Sequence, residues 1–186
     1  MVVTAADGRK VVISDTDHYA PGLGDALWAW KSFLRGHHPI LMDFGLIGGI
    51  KPPDASAGGP MAYTAFEPAR YAMGDTLRFA ERINLIEMQP RDDLSSTGYV
   101  LANPGHEYLV LQPSTADPFT VVLEPGTYTA EWFSVQRCET FPAEARTIET
   151  SAAAGFSPPA QAPGPAVLYL KTLASPVRRG DGQSHH

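Results

Sequence analysis

The chain has 186 residues, of which 44% are apolar and 18% charged, so it carries enough apolar material for a packed core and is not a disordered polyampholyte. A formal net charge of −6 with fourteen scattered Lys and Arg residues argues against a nucleic-acid partner, because phosphate binding needs clustered cations. The lone Cys138 can neither close an intrachain disulfide nor found a cysteine-rich zinc site, and no stretch approaches the ~20 apolar residues of a membrane span; the compartment stays open.

The first apolar run, Lys10 to Ser14, ends abruptly in Asp15-Thr16-Asp17-His18, which reads as a buried strand emptying into a loop. From Asp25 to Arg35, residues Leu27, Trp28, Trp30, Phe33 and Leu34 recur at helical spacing, with Gly36 placed to end the helix. Pro39 to Phe44 reads as a second buried strand. Strand, helix and strand in this order predict a βαβ unit with parallel strands. Residues 45–63 are rich in Gly and Pro and read as a surface loop. Thr64 and Glu67 stand at capping-box spacing ahead of an apolar stripe of Phe66, Ala69, Met73, Leu77 and Ala80, which predicts a second helix ending near Asn84.

Beyond Pro90 the period changes. Runs at 98–102, 107–112, 119–123, 127–135, 145–149 and 166–170 alternate with turn clusters, the pattern of an antiparallel β-sandwich. In the longest run, alternation sets Tyr128, Ala130, Trp132 and Ser134 on one face and Thr129, Glu131, Phe133 and Val135 on the other; Glu131 marks the second face as outward. The fold class expected is therefore an α+β composite: a parallel βαβ unit and a further helix over 1–88, an antiparallel sandwich over 89–174, and a disordered tail at 175–186. A single βαβ unit cannot cover both faces of a parallel sheet, so strands that complete it are expected upstream.

The stretch VVISDTDHYAPGLGDALWAWKSFLRGHHPILMDF resembles the final strands of barrel glycosidases, the apiosidase-like family among them. There a strand ending in Asp-Thr-Asp-His precedes a Trp-x-Trp-Lys-Ser-Phe-x-Arg-Gly helix and a Pro-Ile-x-Met-Asp strand. The stretches SSTGYVLANPGHEYLVLQP, GTYTAEWF and AVLYLK are similar to the small β-sandwich that follows such barrels in bacterial proteins and bears a collagen-binding label. Ser134–Ala145 departs from the turn usual there. The resemblance implies that residues 1–88 are the last βα units of a TIM barrel and that the Ser14–His18 loop and Met42–Asp43 lie on its catalytic face. It also implies hydrolysis of O-glycosyl bonds by two carboxyl groups, with the acid/base at the end of a fourth strand outside this chain. The chain alone is expected to be inactive.

Asp17 is the leading candidate for a catalytic carboxylate at the active-site rim, with Asp15 and His18 as substrate-binding neighbours. The competing reading is a turn-and-cap cluster that ends a strand. Trp28 and Trp30 diverge on a helix and should pack rather than stack on sugar. Lys31 and Arg35 should pair with carboxylates. His37 and His38 with Asp43 and Asp17 do not converge as a metal site should, and neither metal nor cofactor is expected. A different class of function, a noncatalytic module binding a glycan or matrix protein, would need Tyr99, Tyr108, Tyr128, Trp132 or Tyr169 exposed and coplanar.

Overall fold

The computed structural model describes residues 4–16, 25–43, 63–114 and 117–173. Strands Ile13–Asp15 (β1) and His38–Ile40 (β2) pair in parallel, Ile13 opposite His38 and Asp15 opposite Ile40, and helix Ala26–Leu34 (α1) connects them. Asp25 caps α1, its Oδ1 accepting the Trp28 N–H at 2.7 Å. Gly36 follows at φ +69°, the left-handed conformation that ends many helices. A Cβ at Gly36 would lie 3.1 Å from Pro90 Cγ, so the absence of a side chain also lets the end of α1 approach a later strand.

The expected burial of the first two strands fails. Val11, Ile13 and Ile40 are 73%, 58% and 45% exposed, because only one face of the parallel pair is covered. Ser14 faces α1, where its Oγ accepts from Trp28 Nε1 at 3.0 Å and lies 3.2 Å from Ser32 Oγ. The other face, with Ile13, Asp15 and Ile40, is open.

Helix Glu67–Arg82 (α2) is preceded by a 3₁₀ turn over Tyr63–Phe66, and Phe66 at its start makes no side-chain cap. The capping box expected from Thr64 and Glu67 is not formed. Pro68, whose fixed φ and missing N–H suit a helical first turn, starts the helix later than that spacing implied.

Eight further strands follow: Gln89–Pro90 (β3), Val100–Asn103 (β4), Glu107–Gln112 (β5), Phe119–Leu123 (β6), Gly126–Ser134 (β7), Glu139–Ile148 (β8), Ala152–Phe156 (β9) and Ala166–Thr172 (β10). Six form an antiparallel sheet in the order β3-β4-β5-β10-β7-β8, and β6 pairs with β9 in a separate antiparallel sheet. The two sheets enclose one core, built from Tyr108, Val110, Tyr128, Trp132 and Leu168 on the larger sheet and Phe119, Val121 and Phe156 on the smaller. Trp132 faces inward there, as expected from Glu131 standing on the opposite face.

The outward assignment of the opposite face is overturned. Leu101, Leu109, Leu111, Phe133, Val167 and Tyr169 form a second core with Trp30 and Leu34 of α1 and Ala72 and Phe79 of α2. Each strand of the larger sheet that crosses this region is buried on both faces, which is why β5 and β10 read as unbroken apolar runs rather than alternating ones. Phe79 stands at the junction, edge-on to Trp30, Phe133 and Tyr169 at 5.3, 5.4 and 6.2 Å between ring centroids.

Candidate functional site

The C-terminal ends of β1 and β2 lie side by side because the strands are parallel and in register. Polar side chains gather there, as they do where barrel folds place their chemistry. Thr16, which is buried, accepts the Met42 N–H on its Oγ1 at 2.8 Å and so ties the two strand ends together. Asp15, one residue earlier, is an exposed residue on the same face of the pair as Ile13 and Ile40. Asp17 and His18, the other two members of the cluster expected from the sequence, lie outside the described residues.

Asp43, just past β2, is held from α2. Arg70 Nε donates to Asp43 Oδ2 at 2.5 Å and its Nη2 donates to Oδ1 at 2.7 Å, a two-pronged contact between side chains that are each mostly buried. A guanidinium fork matched to both carboxylate oxygens fixes the start of α2 against the end of β2. The pairing makes Asp43 a positional anchor. The sequence held no sign of it, since Arg70 sat on the polar side of the helical stripe.

Other expectations resolve as packing. Trp30 is fully buried among Phe33, Phe79 and Phe133. Among the described residues Lys31 and Arg35 pair with no carboxylate; both lie over the Tyr99 ring, at 5.2 and 4.6 Å from its centroid. His37 is buried and its Nε2 donates to the Thr4 carbonyl at 2.8 Å. Among the described residues no three His, Cys, Asp or Glu side chains are grouped as metal ligands, and no helix is long and apolar enough to cross a membrane.

A second polar cluster joins α2 to the larger sheet. Glu107, almost fully buried, accepts the Asn84 N–H at 2.9 Å, the Tyr169 hydroxyl, and Lys171 Nζ at 3.2 Å. Burial raises the carboxyl, but the hydrogen bonds from Tyr169, Asn84 and Lys171 and the Lys171 charge together hold it below the usual carboxylate range. The Tyr169 hydroxyl is pushed up, by burial first and then by Glu107, so it stays protonated as the donor. Arg82 lies over the rings of Phe79 and Tyr169 and pairs with Glu131, which explains how a Glu can stand on a covered face.

The aromatic residues considered as a glycan platform are not arranged as one. Tyr108, Tyr128, Trp132 and Tyr169 are all buried, and Tyr99 is covered by Lys31 and Arg35.

No protein-family model matches the sequence, and no characterised protein matches it at a significant level. Solved structures do match its fold. One, described as a glycoside hydrolase, superposes with a TM-score of 0.60 over 82% of this chain at 14% identity. Another, a glycoside hydrolase family 5 protein from Bacteroides vulgatus, gives 0.61 over 81% at 13% identity. The chain spans 38% and 36% of the lengths of these two structures. The fold is thus glycoside-hydrolase-like, and it corresponds to a part of those proteins.

Proposed function

We propose that this chain is the C-terminal part of a glycoside hydrolase: that residues 1–88 are the last units of its (β/α)8 barrel, and that residues 89–174 are an accessory β-sandwich. The observation that carries this reading is the open face of β1 and β2. A two-stranded parallel sheet with Val11, Ile13 and Ile40 in solvent is unstable by itself, since parallel sheets are otherwise covered on both faces and wider. Further parallel strands that close the sheet into a barrel would bury those side chains in its interior and turn the C-terminal ends of β1 and β2 into the rim of the barrel mouth. The likeness to glycoside hydrolases, over little more than a third of their length, supports the same reading.

In the completed enzyme a carbohydrate substrate lies across that rim. Asp17 acts at the rim, Asp15 and His18 bind sugar hydroxyls, and Asp43 with Arg70 keeps the strand ends in place. Cleavage of the O-glycosyl bond needs two carboxyl groups flanking it, and the acid/base comes from a strand outside this chain. The apiosidase-like resemblance supplies the family within the glycosidases to test first. The alternative, a noncatalytic glycan- or matrix-binding module, loses support from the burial of the aromatic side chains it would use.

The test is to read the coding sequence upstream and express the joined polypeptide. Six further βα units and a glycan-cleaving activity lowered at least tenfold by Asp17→Ala are expected. A joined polypeptide without such units, or with unaltered activity in the variant, refutes the reading.

A further inference from the structure

We draw no further inference here: the strongest candidate, the largely apolar groove of about 750 Å³ between β2 and α2 lined by Pro39, Met73, Leu77, Ala80 and Leu101, is an unpartnered apolar surface, and nothing in the structure shows what covers it.

Discussion

Trp132 and Phe133 are consecutive in β7 and serve different cores. Trp132 meets Phe119 edge-on at 5.9 Å between ring centroids, whereas the Phe133 ring lies 5.5 Å from that of Trp30. The larger sheet is therefore a wall shared by the smaller sheet on one side and the two helices on the other. Truncating either ring leaves a cavity in a packed core, so Trp132→Ala and Phe133→Ala should each cost about 3–5 kcal/mol. Urea unfolding of the whole chain measures both. A full loss for Trp132→Ala beside a change under ~0.5 kcal/mol for Phe133→Ala, the size expected of a surface substitution, would mean that the helices are not held against the sheet.

Removing the helices tests the same wall from outside. A fragment of residues 88–174 would leave Leu109, Leu111, Phe133 and Val167 without the cover that Trp30, Ala72 and Phe79 provide, an apolar patch of the kind that drives association. The fragment is expected to bind an apolar dye strongly and to self-associate in light scattering, and the whole chain much less. A monomeric fragment that melts as cooperatively as the parent would show that the second core adds little.

Glu107 gives the stability a pH dependence with a definite sign. Its carboxyl titrates lower in the folded chain than in the unfolded one, so the ionised form contributes stability above the ordinary carboxylate range. That contribution is lost as pH falls through this range toward the depressed folded value. Glu107→Gln removes the ionisation and weakens the contacts to Tyr169 and Lys171, at a cost near pH 7 of about 1–3 kcal/mol. Unfolding midpoints between pH 7 and pH 3 should fall more steeply for the wild type than for the variant. Parallel curves would place the acid sensitivity elsewhere.

The Arg70 and Asp43 contact predicts a local effect. Arg70→Met keeps much of the apolar stem and removes both donors from Asp43, which should cost about 1–3 kcal/mol. Amide exchange should rise at the start of α2 and at the end of β2 while the larger sheet keeps its protection. Unchanged exchange at residues 67–72 would show that the pair does not anchor the helix.

Much of this architecture was legible because local signals agreed with one another. Asp25 and Gly36 bracket α1, and the runs at Glu107–Gln112 and Phe119–Leu123 became strands with those bounds. The misses have physical causes. Ala152–Phe156 is absent from the predicted runs because four of its five residues are Ala or Gly, and it becomes a strand through pairing with β6, since strand propensity expresses neighbours more than residues. Glu131 seemed to mark a solvent face because its partner, Arg82, lies 49 residues away. Val11 and Ile13 read as buried because apolar side chains at a strand usually are, and here no described element covers their face. The clamp from Arg70 to Asp43 was invisible for a related reason, as it depends on how a helix returns over a strand end.

The most direct test of the part-enzyme account is turnover by the chain alone. Purified protein is incubated with a panel of aryl glycosides, and release of the chromogenic alcohol is compared for wild type and Asp17→Ala. The account predicts no release above the buffer rate for either, because it assigns one of the two carboxyl groups that glycoside cleavage needs to a strand outside this chain. Turnover by the wild type that disappears in Asp17→Ala would contradict it, and would make these residues a complete catalyst.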